Sequence, residues 1–332
     1  MSKTGKYCIA IAALIAPLTV PAARAEDTLR VAAAQRGNWD TTIAEIGQRG
    51  GMFKKNGLSL EILYTQGAGE TQQAVISGSV DIGVAPGVMD VLSAFSKGAP
   101  VRVIGSETTG ASDLFWYVPS NSPIKSLKDT EGRTIAYSTI GSLTHSIVTT
   151  LMKQYDLKAR PTATGGPAPT LTQVMSNQID IGWSAPPFGL QQLDEGKIRI
   201  IASGNDAAIF KGQTVRLLIT NVQTLRERKP VIERFMKAYR ETIDWLYSDD
   251  PAALKTYADF VGISVATAKR TRDGFFPKSA VDPDRIVGLD QIVQDAVALK
   301  FTATPLTKEQ LAELIQIPPR HYAPAAARMP VQ

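Results

Sequence analysis

Val75-Ile76-Ser77-Gly78-Ser79-Val80-Asp81-Ile82-Gly83 and Val174-Met175-Ser176-Asn177-Gln178-Ile179-Asp180-Ile181-Gly182 are one phrase written twice, about a hundred residues apart. Each copy ends a helical pattern, breaks on polar residues and places an aspartate. A short apolar run then leads to a proline, Pro86 or Pro186. A helix-to-strand unit recurring at that distance predicts two similar α/β lobes rather than a short-period solenoid. Lobes of that kind meet at a cleft, and interdomain clefts are where small molecules bind.

Around the first copy, strands are expected at 29–33, 58–64, 82–85 and 101–104, interleaved with helices that end near 49, 77 and 97. Around the second, strands fall at 114–118, 133–137, 159–164, 181–184 and 199–202, with helices at 142–154, up to 177 and from 187. Alternation of this kind predicts a mostly parallel sheet flanked by helices in each lobe. A further strand at 215–220 turns back toward the first lobe. Four amphipathic helices follow at 230–247, 251–261, 264–274 and 283–299, three with proline near the start, where its missing N–H costs little. They bring no strands of their own and are expected to cover the first lobe. The chain then crosses twice, near Ser112 and near Arg216, giving a first lobe of 26–112 and 216–317, a second lobe of 113–215, and a loosely ordered Ala/Pro-rich tail at 318–332.

Residues 1–25 read as a secretion signal. Lys3 and Lys6 precede an apolar run from Ile9 to Val20, and Ala23-Arg24-Ala25 suits cleavage after Ala25. The run is shorter than the roughly 20 residues a membrane span needs. Cleavage removes Cys8, the one cysteine among 332 residues, which suits an oxidising compartment and leaves no thiolate for catalysis, disulfides or metal. It also removes three basic residues and no acid, taking the net charge from +5 to +2, far from a nucleic-acid-binding footprint.

Further motifs lie at fixed order along the chain: Gly51-Met52-Phe53-Lys54-Lys55-Asn56-Gly57-Leu58, Ser122-Pro123-Ile124-Lys125-Ser126-Leu127-Lys128-Asp129, Gly132-Arg133-Thr134-Ile135-Ala136 and Gly141-Ser142-Leu143-Thr144-His145. With the two repeated phrases, they make the chain resemble the periplasmic substrate-binding proteins of ABC importers in the nitrate, sulfonate and taurine group, from about Thr28 to Leu299. That group shares its fold with thiamine-precursor proteins. The resemblance implies the two-lobed class II binding-protein fold and a small, sulfonate- or nitrate-like ligand closed between the lobes of a monomer, with a membrane permease as partner. The alternatives are a sensor that presents its ligand to a receptor, or a thiamine-pyrimidine-related binding protein or enzyme.

Loops at the carboxyl ends of parallel strands face the ligand crevice. This rule points to Gln35, Asn38 and Trp39 after the first strand, Gln66 and Gly67 after the second, and Ala85 and Pro86 after the third. In the second lobe it points to Gly141, Ser142, Thr144 and His145, to Gly165 and Gly166, and to Ser184 and Ala185. Ser142 opens a helix whose first N–H groups carry partial positive charge and suit an anion or carbonyl, while also serving as an ordinary cap. Trp39 offers an apolar wall; Trp183 stands beside the second rim. Arg36 and Arg216 are the basic side chains near these loops, able to counter an anion or simply to pair on the surface. No cofactor motif is present: there is no Gly-rich loop ending in Gly-Lys-Ser or Gly-Lys-Thr. The second histidine, His321, is far from His145 in sequence, which argues against a metal cluster. The thiamine-pyrimidine enzymes depend on a cysteine-rich motif that residues 26–332 lack, so no enzymatic activity is expected.

Overall fold

Every segment expected as a strand is one. The computed structural model describes residues 26–320; the expected signal at 1–25, and His321 with the rest of the tail, lie outside the described residues. The strands are β1 (Asp27–Ala34), β2 (Leu58–Thr65), β3 (Ile82–Gly87), β4 (Val101–Thr109), β5 (Phe115–Pro119), β6 (Thr134–Tyr137), β7 (Arg160–Ala163), β8 (Gly182–Ser184), β9 (Ile198–Ser203) and β10 (Thr214–Asn221). The helices are α1 (Ile43–Arg49), α2 (Met52–Lys55), α3 (Ala68–Ile76), α4 (Val88–Ser96), α5 (Leu143–Gln154), α6 (Pro167–Met175), α7 (Leu190–Asp194), α8 (Val222–Leu246), α9 (Pro251–Val261), α10 (Val265–Phe275), α11 (Leu289–Ala298) and α12 (Lys308–Leu314).

The first sheet runs β2-β1-β3-β10-β4, with β10 antiparallel to both neighbours. In the second half, β5 lies antiparallel between β8 and β9, and β6 pairs parallel with β7. Ile181 joins these two pieces, accepting from Ala136 N at 2.8 Å and donating to Thr134 O at 3.0 Å. The resulting order β7-β6-β8-β5-β9 is the first sheet's order strand for strand. In each sheet the one reversed strand is the strand by which the chain enters from the other half. The two crossing segments run side by side: Gly110 N donates to Gln213 O (2.9 Å), Ala111 N to Asn205 Oδ1 (2.9 Å) and Gly204 N to Leu114 O (2.8 Å).

The repeated phrase has a structural cause. Asp81 accepts the backbone N–H of Arg30 on β1 at 2.7 Å, and Asp180 accepts that of Thr134 on β6 at 2.8 Å. Each carboxylate also meets an arginine, Arg30 at 3.6 Å or Arg133 at 3.3 Å. One aspartate per lobe thus fixes the register at the strand end remote from the cleft, with charge-assisted bonds that are roughly twice as strong as neutral ones.

Helix ends depart from expectation where local chemistry outranks periodicity. α8 starts at Val222, because Asn221 caps it through Thr224 N (2.8 Å), and it continues past Pro230 by a break at Arg228 (φ −126°, ψ 26°). Proline was expected to open that helix; the chain instead accommodates it in a kink. α11 starts at Leu289, not near Pro283, because 283–287 bond to the sheet through Ser106 N to Pro283 O (3.1 Å) and Thr214 N to Val287 O (3.0 Å). α7 is preceded by a turn at Pro187. α12 was not anticipated; past it, Gln316 N donates to Val103 O at 2.7 Å and covers the β4 edge. Residues 318–320, expected to be loose, are held: Arg240 Nη2 donates to Pro318 O at 2.5 Å, and Arg320 pairs with Asp244 at 3.0 Å.

Asp81→Ala and Asp180→Ala should each cost about 1 kcal/mol, since a part-buried backbone donor loses a charged acceptor. Urea melts should show lowered midpoints with little change in slope. An unaltered midpoint in both would remove this account of the repeat.

Candidate functional site

The two sheets turn their strand carboxyl ends toward each other, and the backbones close to contact there. A Cβ on Gly67 would lie 2.4 Å from Thr139 Oγ1, and one on Gly69 would lie 2.0 Å from the Ile140 carbonyl oxygen. Only the absence of a side chain lets α3 approach the loop after β6.

Behind this clasp lies an inner cavity of about 20 Å³, room for roughly one water. The first-lobe wall includes Gln35, Asn38 and Asp40 after β1, with Ala85 and Arg216; the second contributes Ser138, Ser142, Thr144 and Trp183. A separate groove of about 760 Å³ opens farther out, between α6–α7 and α9–α10, where Arg270 spans to Asp194 at 2.8 Å.

The second-lobe wall is a ring of hydroxyls. Ser138 Oγ, Ser142 Oγ and Thr144 Oγ1 lie 2.9 Å from one another. Ser142 caps α5, its Oγ accepting from His145 N at 3.3 Å, while Ser138 N donates to Thr144 Oγ1 at 2.9 Å. This places three neutral, rotatable hydroxyls at the positive end of a helix.

The first-lobe wall is ionic. Arg216, 6% exposed, meets Asp40 Oδ2 at 3.2 Å and Asp113 Oδ2 at 2.7 Å, and donates to Thr108 Oγ1 at 3.1 Å. Burial by itself would lower this guanidinium, but Asp113 and Asp40 together raise its pKa. Burial raises the Asp40 carboxyl against the pull of Arg216. Burial, reinforced by Asp40, lifts Glu107 well above the carboxylate range; Tyr239 OH donates to it at 3.3 Å.

Several expected residues do not reach this cavity. Trp39 turns away: Nε1 donates to Tyr247 OH at 3.1 Å, and the ring packs edge-on at 4.7 Å against Tyr257. A large ring with its N–H satisfied gains more there than at a wet rim. His145 packs on the Tyr137 ring at 4.7 Å, and burial lowers its pKa. Pro86 and Ala185 are buried behind the rims. Ser184 Oγ donates to Phe188 O at 3.0 Å beside the outer groove. Gln66 and Gly165 face each other across the cleft mouth, and Gly166 faces Gln35; Gly67 and Gly141 belong to the clasp. Arg36 bonds Phe260 O at 3.2 Å and lies over that ring, away from the cavity. Asp40, Glu107, Asp113 and Ser138 were missed. An acidic residue inside a strand was the available signal for Glu107, hidden because that strand was ended at 104 instead of Thr109.

A buried carboxyl also links the halves. Asp90 on α4 accepts from Ser146 Oγ on α5 at 3.2 Å, and burial pushes its pKa up to about 7.

Two α/β lobes of equal topology, joined by paired crossings around a cleft, define the type II periplasmic-binding-protein fold. Within it, the chain belongs to the NMT1/THI5-like family, whose model matches residues 38–253. A 4-amino-5-hydroxymethyl-2-methylpyrimidine phosphate synthase of Saccharomyces cerevisiae is 23% identical over 238 residues, covering 67% of this chain and 69% of that one. The alkanesulfonate-binding protein SsuA from Xanthomonas axonopodis pv. citri, bound to MOPS, superposes with TM-score 0.69 at 18% identity, over 88% of this chain and 98% of that one. The nitrate-binding protein NrtA from Synechocystis PCC 6803 gives 0.66 at 13% identity, over 86% and 84%. The expectation of no enzymatic activity is overturned by these relatives, which are named as pyrimidine phosphate synthases.

Gly69→Ala should leave the thermal midpoint within a few degrees of wild type but hold the lobes apart, read as a larger radius of gyration in solution scattering. An unchanged radius would refute the clasp.

Because the folded Asp90 keeps its proton up to about pH 7 while an unfolded aspartate loses it near pH 4, its contribution to stability falls between those values. Asp90→Asn should therefore gain on wild type from pH 4 to pH 8, by at most about 4 kcal/mol. A pH-independent difference in midpoint would contradict the shifted carboxyl.

Proposed function

We propose that this protein is the solute-binding component of an ABC importer, exported to the periplasm, which captures a small molecule between its lobes and delivers it to a membrane permease. Residues 26–112 with 216–317 form one lobe in this reading, and 113–215 the other. The observation that carries it is the inner cavity, whose polar wall is drawn from both halves behind a glycine clasp. A ligand touching both walls favours the closed arrangement over the open one, by as much as its affinity for the two differs. Paired crossings make the motion a rigid-body hinge.

The likeness to sulfonate and nitrate binders lies below 20% identity and supports the fold rather than a ligand. A second reading, favoured by the synthase relatives, has the same cleft bind or process a thiamine-type pyrimidine.

The test is thermal shift on refolded protein against sulfonates, nitrate, pyrimidines and the small-molecule fraction of a periplasmic extract. A ligand at about a hundred times its Kd adds roughly 2.7 kcal/mol. A saturable rise with contraction in solution scattering supports capture, and replacing Ser142 and Thr144 by Ala should weaken it about tenfold, or about 1.4 kcal/mol. No rise with any of these overturns the binding role.

A further inference from the structure

The inner cavity holds polar atoms that the described protein leaves unmatched. Asn38 and Asp40 are 4% and 2% exposed, both line the cavity, and Oδ1 of each is buried without a hydrogen-bond partner. The Asn38 oxygen is an acceptor, and so is Asp40 Oδ1 whenever its carboxyl is ionised. A buried acceptor without a donor carries its full desolvation penalty, so these two atoms call for a group rich in N–H.

Charge points the same way. Arg216 is engaged by its own chain through all three guanidinium nitrogens: Nε to Asp40 Oδ2, Nη2 to Asp113 Oδ2 and Nη1 to Thr108 Oγ1. One guanidinium stands between two carboxyls, so an ionised Asp40 has only a half-share of Arg216 as counter-charge, and no other lining residue is basic. Glu107 stands near this cluster and supplies no cation. The opposite wall is neutral, its three hydroxyls bonded to one another. An anion placed here would face the Asp40 carboxylate and would have to draw Arg216 away from it and from Asp113 behind the wall.

We propose that, when the lobes part and this one-water space widens, its first-lobe wall receives a protonated nitrogen group of the ligand, an ammonium or amidinium, which donates to Asp40 Oδ1 and Asn38 Oδ1. This rests on the capture role proposed above, and it replaces the sulfonate- or nitrate-like headgroup that the family resemblance implies. Charge-assisted donation to a buried carboxylate gives such a group both affinity and orientation. The hydroxyl ring then serves the neutral or electron-rich side of the same molecule.

Pairs of equal shape and opposite charge test the idea on the wild-type chain: acetamidinium against acetate, and benzamidinium against benzoate, by thermal shift and calorimetry at pH 7. The amidinium of each pair should raise the midpoint saturably, and its carboxylate partner should not. Asp40→Asn should weaken benzamidinium binding at least tenfold, and Asn38→Asp, which adds a carboxylate at the same wall, should strengthen it severalfold in protein with an unchanged circular dichroism spectrum. Carboxylates that stabilise as well as or better than their amidinium partners overturn the proposal, as does the absence of a shift with either. If the extract of the preceding section still yields a ligand, capture stands and only its charge was wrong; if it yields none, capture itself falls.

Discussion

Arg216 is the point on which the interior of this molecule is hung. A guanidinium buried to this degree is tolerated only when paired and hydrogen-bonded, and its partners come from separate stretches of chain. Asp40 belongs to the turn after β1, Thr108 to β4 and Asp113 to the first crossing, while Arg216 itself sits on β10 just past the second. The cluster therefore ties both crossings to the first sheet at the spot where the cavity begins. Removing Arg216 would strand several carboxyls without a cation, so it is a structural keystone and a determinant of the cavity's charge at once.

Around that keystone, the hydrophobic core falls into two clusters, one confined to the first lobe and one running through both. The aromatic cluster of Trp39, Tyr239 and Tyr257 fills the space under α8 and α9, and Trp116 and Trp183 lie in a second cluster that runs from the other sheet into the α4 and α11 side of the first. Trp116 and Trp183 satisfy their indole N–H groups on backbone carbonyls, Ala136 O at 2.8 Å and Gly165 O at 3.2 Å. Those bonds fix the end of β6, from which the hydroxyl ring projects, and the loop after β7, which carries the glycines of the cleft mouth. Packing and site geometry are thus set by the same side chains.

The strands were legible because β-branched runs bounded by glycine and proline carry a local signal, and the duplication was legible because both lobes need an aspartate at the same backbone position. Ser142 was legible for a similar reason: a helix after a glycine turn needs a cap. Trp39 was misplaced because sequence distance does not reveal that Tyr247 and Tyr257 come back more than two hundred residues later to enclose it. Asp40, Asp113 and Arg216 were unreadable as a unit for the same cause: a long-range ion cluster has no spacing. The helix starts at 222 and 289 were lost to one kinked proline and one left-handed glycine, Gly288 at φ 75°.

Asp90 adds a consequence that concerns protons rather than contacts. Its carboxyl lies between α4 and α5, with a hydroxyl from the opposite lobe as its donor. On the capture mechanism proposed above, water returns to that carboxyl when the lobes part and its affinity for a proton falls toward the ordinary range; when they meet, the affinity rises again. Near neutral pH, closing the cleft is then accompanied by uptake of a fraction of a proton from the medium. The heat of ligand capture accordingly includes the ionisation heat of whatever buffer supplies it, and the position of the open–closed balance follows the acidity of the surrounding compartment.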